Sequence, residues 1–347
     1  MTRRFLVVNA ALTLSLLPTP GIVGRVSAQE PPVTTFRSSV DVVSVSAVVR
    51  DRKGRFVGNL ERKDFIVAEA GQVRPILDFR AQADGPVKLA MLFDISGSMR
   101  VGTKAVDARQ AARHVFGALK PGDEAALFSF DTHLDRVTPF TSDIASLESS
   151  LDRVQSPYGQ TSLYDAIAET ARLVAAEGPG KGRVPQRSAV VVLTDGIDTR
   201  SRLTSDQVST IASTIDIPVY IVAVVAMIDD PRQTVAVPQV MTGALPDLAK
   251  WTGGEMFVAS APAHASLAAR QIVDELRHQY LLAFEASSQR EGWRPLEVRA
   301  RDNALTVRAR AGYTSGNGGQ AIGNPTVRIG PSTYSLAHSE IFVRRQR

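Results

Sequence analysis

The segment KLAMLFDISGSM, residues 88–99, carries three oxygen-bearing side chains directly after an apolar run: Asp94, Ser96 and Ser98. Gly97 lies between the two serines and is expected to let the backbone turn tightly there. Taken alone, the same spacing fits an ordinary turn in which an aspartate caps the following helix. An interpretation in terms of chemistry therefore requires further polar groups from other parts of the chain.

Two more oxygen-rich segments supply such groups. LTDGID, residues 193–198, places Asp195 after a second apolar run, and SPYGQTSLYDAI, residues 156–167, places Thr161 just before a predicted helix. These donors are carboxylates and hydroxyls, without imidazole or thiolate, and such hard oxygen ligands favour Mg²⁺, Mn²⁺ or Ca²⁺ over Zn²⁺. Asp165 follows Thr161 closely, and we expect it to support a metal site from outside the ligand set.

The elements around these segments predict how they are positioned. From residue 87 to about 275, continuous apolar runs, which are typical of strands covered on both faces, alternate with helical periods. The predicted helices span 103–119, 162–176, 204–215 and 265–278. This alternation predicts an α/β fold with a doubly wound, mostly parallel, Rossmann-like sheet. Because the carboxyl ends of parallel strands meet at one edge of the sheet, the oxygen donors are expected to converge there.

Shorter segments on either side of the α/β region alternate apolar and polar residues, as strands with one buried face do. They span residues 38–82 and 278–313. Each is too small to bury a core alone, so we expect the two to pair into one antiparallel β-sandwich flanking the α/β domain.

Two further stretches interrupt this organisation. Residues 226–248 hold several prolines and two adjacent acids, and they are either a loop that selects a partner near the metal edge or a disordered insertion. Residues 314–347 are predicted to form a flexible linker and tail.

The N-terminus has the features of a secretory signal. Arg3 and Arg4 precede the apolar run 5–17, and small residues around position 28 fit cleavage after Ala28. We therefore predict a signal peptide over 1–28 and an exported protein, periplasmic or extracellular, with no transmembrane segment after cleavage.

Composition excludes several classes of protein. The chain of 347 residues contains no cysteine, so disulfides, thiolate metal sites and cysteine nucleophiles are excluded. Its formal net charge of +5 falls to +2 without residues 1–28, because three arginines and no acidic residue lie there. A charge this small gives no support to nucleic-acid binding.

The oxygen donors together resemble a known metal site. A D-x-S-x-S turn after the first strand, a threonine in a later loop and a T-D-G aspartate form the metal-ion-dependent adhesion site (MIDAS) of von Willebrand factor type A (VWA) domains. The matching residues are Asp94, Ser96, Ser98, Thr161 and Asp195. By this resemblance the metal is Mg²⁺, and a Glu or Asp of a bound protein completes its coordination. The resemblance implies a binding module without catalytic residues.

The flanking segments resemble a narrower group, the secreted bacterial "VWFA-related" proteins that are abundant in acidobacteria. The resemblance rests on VVRDRKGRFVGNLERKDFIVAEAGQVRPI before the α/β region and on YLLAFE and RARAGY after it. It implies the same domain order and does not specify an activity.

Three functions follow from these patterns. The first is a metal-dependent module that binds an acidic side chain of a protein partner. The second is a structural scaffold in an envelope assembly, in which the metal only orders three loops. The third is a metal-dependent hydrolase. For this function, the turn that begins at Asp94 is compared with the D-x-D-x-T pattern of phosphoryl-transfer enzymes. Ser96 stands where that chemistry needs a second carboxylate as acid and base.

Overall fold

The structure is a computed structural model, and it describes residues 42–81, 85–155, 159–177, 187–225, 244–287 and 291–315. The predicted signal peptide and residues 316–347 of the predicted tail lie outside the described residues. The boundaries proposed above for the domains remain predictions.

Six helices and fourteen strands make up the described residues. The helices are α1 (Lys104–Gly117), α2 (Ile144–Arg153), α3 (Leu163–Ala176), α4 (Ser205–Thr214), α5 (Ala244–Trp251) and α6 (Pro262–Arg277). The strands of the α/β region are β5 (Val87–Asp94), β6 (Glu124–Phe130), β7 (Leu134–Thr141), β8 (Arg187–Thr194), β9 (Val219–Val224) and β10 (Met256–Ala259). The flanking strands are β1 (Val42–Arg50), β2 (Phe65–Glu69), β3 (Gln72–Arg74), β4 (Ile76–Ala81), β11 (Tyr280–Glu285), β12 (Gly292–Ala300), β13 (Thr306–Ala309) and β14 (Gly312–Ser315).

The α/β region is built on one six-stranded sheet with the order β10-β9-β8-β5-β6-β7. Its strands run parallel except for β7, which is antiparallel to β6. Strand β5 lies between β8 and β6, so the chain moves outward from β5 in both directions. That arrangement makes the carboxyl end of β5 the place where an open α/β sheet forms a crevice.

Helices cover both faces of this sheet. Alternate residues of β5 divide between two cores: Leu89, Met91 and Phe93 pack with α1, α2 and α6, while Ala90 and Leu92 pack with α3, α4 and α5. Burial on both faces accounts for the continuous apolar runs in the sequence. The predicted doubly wound fold is confirmed.

Two short antiparallel sheets flank the α/β region, with the orders β13-β1-β11-β4 and β14-β12-β2-β3. Each combines strands that precede the α/β region with strands that follow it, as β1 does with β11 and β2 with β12. Val45, Val67, Tyr280 and Phe284 share the core between the sheets. The predicted sandwich, built from both ends of the chain, is therefore confirmed.

The sandwich packs against the amino-terminal edge of the six-stranded sheet. Arg308 of β13 pairs with Glu255, which precedes β10, and with Glu275 near the end of α6. Ala311 donates its N–H to the carbonyl of Trp251, the last residue of α5, at 2.9 Å. These contacts leave the opposite edge of the sheet, where the strands end, away from the sandwich.

Four local features differ from the sequence expectations. Helix α2 and the edge strand β7 were not predicted. Helix α5 begins at Ala244, so the last five residues of the predicted insertion 226–248 are helical, while 226–243 lie outside the described residues. Thr314 and Ser315 belong to β14 rather than to the predicted linker, because β12 offers them an antiparallel partner.

Within the described residues, no helix combines the length and the apolar character that crossing a membrane requires.

Candidate functional site

The first loop of the site is fixed by its aspartate. Asp94 ends β5 and is fully buried. One carboxylate oxygen, Oδ1, accepts the backbone N–H of Ser96 at 2.8 Å, and the other, Oδ2, accepts the hydroxyl of Thr194 at 2.6 Å. The bond from Thr194 joins the ends of the adjacent strands β5 and β8, and the two bonds together hold the Asp94 carboxylate in one orientation.

A chain of oxygen atoms runs from this loop to the second one. The hydroxyl oxygens of Ser96 and Ser98 lie 3.1 Å apart, and Ser98 donates to Oδ1 of Asp195 at 3.2 Å. The backbone N–H of Ile197 donates to the same carboxylate oxygen at 3.3 Å. The structure therefore brings four of the five predicted ligands, including both carboxylates, to one place.

Thr161, the fifth predicted ligand, is brought to the same edge by its backbone. Its N–H donates to the hydroxyl of Thr199 at 2.9 Å, and its carbonyl accepts the N–H of Arg200 at 2.8 Å. The N–H of Gly97 donates to the carbonyl of Gly159 at 3.0 Å, which ties the same loop to the first one. Thr161 is 2% exposed, so its side chain is buried.

Asp165 and Asp198 hold the second and third loops together. Asp165, in the first turn of α3, accepts the N–H of Arg202 at 3.1 Å and that of Leu203 at 2.9 Å. Asp198 accepts the N–H of Leu163 at 2.8 Å, so it has a structural partner instead of the solvated role that its loop position suggests. The supporting role predicted for Asp165 thus has a geometric basis.

Gly97 lies in a tight turn, as expected, but without a positive φ. It begins a 3-10 turn, Gly97–Arg100, after the cap residue Ser96. The glycines with positive φ in the described residues include Gly102 and Gly196, near the site, but not Gly97. Its backbone contribution is the hydrogen bond to Gly159.

The cluster also contains a lysine that was not among the predicted site residues. Lys104, the first residue of α1, places its Nζ 3.1 Å from Oδ2 of Asp195, and the two side chains are only 9% and 2% exposed. The partners are 91 positions apart, which hides the pair from any local pattern. One signal was available: a cation in the first turn of a helix is disfavoured by the helix dipole, so its presence indicates a nearby anion.

The electrostatics of the cluster favour an added cation. Burial raises the pKa of the Asp94 carboxyl to about 6, and the charge of Asp195 acts in the same direction, while hydrogen bonds from Ser96 and Thr194 oppose the shift. An ionised carboxylate in this position is therefore costly without a positive charge beside it. A bound metal ion would supply that charge.

The donor set fits a hard divalent ion. Within the described ranges no group of three or more His, Asp or Glu could hold a metal, so a metal here would rely on hydroxyls as well as carboxylates. The three hydroxyls and two carboxylates described above offer oxygen only, which is the ligand type of Mg²⁺, Mn²⁺ and Ca²⁺. The same residues would hold the ion, and the ion would supply an open coordination position for an oxygen of a ligand.

Comparison with known families places this region in a class. Residues 89–197, which run from β5 to the second loop of the site, match the family model for the von Willebrand factor type A domain. The match covers less than half of the chain. Together with the doubly wound sheet, it defines this region as a VWA domain with flanking antiparallel sheets. Such domains typically mediate protein–protein interactions, are mostly non-enzymatic, and often bind a divalent metal.

Solved structures show weaker likeness, with TM-scores below 0.5. BatB from Bacteroides thetaiotaomicron is 19% identical over 55% of this chain and 98% of its own, with a TM-score of 0.43. A von Willebrand factor type A protein from Catenulispora acidiphila is 13% identical over 80% of this chain and 76% of its own, with a TM-score of 0.44. Proximal thread matrix protein 1 from the mussel byssus, described with zinc in its MIDAS motif, is 16% identical over 60% of this chain and 49% of its own, with a TM-score of 0.43. A search of curated proteins found no match.

Proposed function

We propose that this protein is an exported, metal-dependent module that binds an acidic side chain of a protein partner. In this proposal Asp94, Ser96, Ser98, Thr161 and Asp195 hold a divalent ion, with Mg²⁺ as the first candidate and Mn²⁺ or Ca²⁺ as alternatives. A Glu or Asp of the partner completes the coordination. Export to the periplasm or the cell exterior follows from the proposed signal peptide over 1–28.

The chain of oxygen atoms from Ser96 through Ser98 to Asp195 carries this proposal. Its hydroxyls, which add no charge, lead to the carboxylate of Asp195, and the backbone N–H of Ser96 binds the carboxylate of Asp94 at the end of β5. A divalent ion bound by two carboxylates and neutral groups keeps open positions that water or a partner's carboxylate can occupy. The typical behaviour of VWA domains supports the same conclusion.

The contacts between the loops do not favour the scaffold alternative. In that alternative the metal is needed to order the three loops. Direct hydrogen bonds already join them: Gly97 to Gly159, Thr161 to Thr199, and Leu163 to Asp198. An ion would therefore add charge and an open coordination position to loops that are already connected.

The hydrolase alternative lacks a second acid or base in the first loop. Ser96 is fully buried, and its hydroxyl contacts that of Ser98 at 3.1 Å. A serine hydroxyl does not exchange a proton near neutral pH as a carboxylate can, so Ser96 cannot act as the second acid or base beside Asp94.

The first test is calorimetric titration of Mg²⁺, Mn²⁺, Ca²⁺ and Zn²⁺ into the full chain after treatment with EDTA. We expect saturable binding of one ion, lost in Asp94→Ala and in Thr161→Ala. Asp274→Ala, which changes an exposed aspartate of α6, is the matched control and should bind as the wild type does. Equal binding by the wild type and the two site variants would contradict the metal site.

The second test concerns the partner. A displayed library of random peptides is selected on the immobilised protein with Mg²⁺ and eluted with EDTA. We expect enrichment of peptides that contain Asp or Glu, and none with Asp94→Ala. Peptides that stay bound in EDTA would instead support the scaffold alternative, in which partner binding does not use the metal.

A further inference from the structure

The Lys104–Asp195 ion pair stands apart from the other polar contacts of the site because it brings a positive charge into a proposed cation site. The ammonium nitrogen of Lys104 lies 3.1 Å from Oδ2 of Asp195, and both side chains are buried. Ordinary metal sites avoid such a neighbour, since a fixed cation repels the ion. The presence of the lysine therefore needs a reason beyond the neutralisation of a single carboxylate.

The position of Lys104 in the fold is well fixed. It begins α1, five residues after Met99, which is fully buried, and backbone N–H groups of the connecting segment bond back to the residues before it: Val101 to Ser98 at 3.2 Å and Lys104 to Val101 at 3.5 Å. The start of a helix is the least favourable end for a cation, because the helix dipole is positive there. The buried lysine is therefore held in place by Asp195 against its local preference.

Formal charges show what this lysine changes. Two carboxylates, Asp94 and Asp195, give the site a charge of −2, and Lys104 brings it to −1. A divalent ion then leaves a surplus of +1, whereas the same site without the lysine would be neutral once loaded. In a buried site a surplus charge of this kind is strongly felt, because the effective dielectric constant is low.

We propose that Lys104 sets the charge of the site so that metal binding and anion binding depend on each other. This inference rests on the proposed function. Without metal, Lys104 balances Asp195 and keeps the empty site stable. With metal bound, the site has a surplus charge of +1, which a carboxylate of the partner neutralises. The ion therefore binds weakly alone and tightly together with an acidic ligand.

The test compares Mg²⁺ binding by the full chain and by Lys104→Met, each after EDTA treatment and with sodium acetate or sodium chloride at equal ionic strength. Acetate is the probe for the partner's carboxylate. Lys104→Met should bind Mg²⁺ alone about tenfold more tightly, because one repelling charge at close range has been removed. Acetate should tighten Mg²⁺ binding by the wild type clearly, and by Lys104→Met much less.

A second measurement separates charge from structure. In EDTA, Lys104→Met should melt at a lower temperature than the wild type, since two buried carboxylates then lack a nearby cation. Addition of Mg²⁺ should bring the melting temperature back to that of the wild type. A purely structural lysine would lower the melting temperature equally with and without Mg²⁺, which would overturn the proposal. Lys104→Gln gives the same comparison with a polar side chain if the methionine variant does not fold.

Two variants serve as controls. Lys104→Arg keeps the charge and should bind Mg²⁺ as the wild type does. Lys120→Met changes an exposed lysine beyond the far end of α1 and should have no effect. Equal Mg²⁺ affinities in the wild type and Lys104→Met would refute the role proposed for Lys104 and leave the proposed function intact. Absence of metal binding in both proteins would refute the proposed function, and this inference with it.

Discussion

The two edges of the six-stranded sheet both bury charged side chains, but they balance those charges differently. At the amino-terminal edge, Glu275 meets two arginines, Arg50 and Arg308, and Arg308 also reaches Glu255. At the carboxyl-terminal edge, the buried carboxylates of Asp94 and Asp195 influence each other, and Lys104 pairs with Asp195. The first cluster has as many cations as anions, while the second has an excess of negative charge.

This difference distinguishes a joint, by which we mean a structural contact between the α/β region and the sandwich, from a candidate binding site. The balanced cluster links α6 to strands of the sandwich, and the buried Glu275 in it already has two cationic partners. Hydroxyl groups surround the unbalanced cluster. They can coordinate a metal ion without adding negative charge to the site. Burial of charge alone therefore does not identify a functional site, whereas an unmatched buried carboxylate marks a candidate for one.

Removal of a cation from the balanced edge should produce the largest effect. Burial raises the pKa of Glu275, and Arg308 and Arg50 oppose that shift, so Arg308→Met leaves a costly buried carboxylate. We expect the free energy of unfolding to fall by about 3 kcal/mol in urea denaturation. Arg299→Met, which changes an exposed arginine of β12, should cost less than about 0.5 kcal/mol. Similar losses from both variants would show that the cluster is not a joint.

Addition of metal should act on the other edge alone. Mg²⁺ at about a hundred times its Kd should raise the free energy of unfolding by about 2.7 kcal/mol. The gain should be the same in the wild type and in Arg308→Met, because the two clusters lie at opposite edges and share no residue. Denaturation of both proteins with Mg²⁺ or EDTA measures this. A gain that disappears in Arg308→Met would mean that the edges are coupled.

The fold was largely predictable because its strongest signals are local. The apolar runs of β5, β6, β8 and β9 and the capping pair of Thr204 and Gln207 are visible in the sequence, and the structure shows that pair as a capping box at α4. Strand β7 was missed because Pro139 interrupts it, which an edge strand tolerates. Helix α2 was missed because it buries only three of its ten residues, Leu147, Ser150 and Leu151.

The five candidate metal ligands could be predicted from the sequence, whereas the pairing of the buried charges could not. Its five donors follow recognisable turns, and the topology of a parallel sheet predicts that such turns meet. Lys104 and the buried arginines find partners far away in sequence, such as Asp195 for Lys104 and Glu275 for Arg50. Pairings of this kind depend on how layers pack, and a single sequence does not indicate which distant residue the partner will be.

The same chemical change should have opposite signs at the two edges. Asp123 is paired with Arg277 and accepts the N–H groups of Val87 and Lys120, so Asp123→Asn should lower the free energy of unfolding by about 2 kcal/mol. Asp94→Asn in EDTA should raise it by about 1 kcal/mol, because the amide removes a buried charge and its oxygen can still accept the N–H of Ser96.

Chemical denaturation in EDTA measures both variants. Addition of Mg²⁺ should then stabilise Asp123→Asn as it does the wild type, and should leave Asp94→Asn unchanged. Loss of stability in Asp94→Asn without metal would show that the carboxylate is already balanced in the empty site, and the contrast between the edges would fail.

The smallest effect concerns a residue beside the site. Asp165 accepts the backbone N–H groups of Arg202 and Leu203, which lie outside the oxygen chain from Ser96 to Asp195. Asp165→Ala should therefore lower the free energy of unfolding by about 1 kcal/mol, through loss of hydrogen bonds, and reduce Mg²⁺ affinity by a factor of about three, through a less firmly held loop. Glu169→Ala, one turn later on the exposed face of α3, should change neither quantity. If Asp165→Ala abolished Mg²⁺ binding as Asp94→Ala is expected to do, Asp165 would be a ligand, and the negative excess at this edge would be larger than two carboxylates against one lysine.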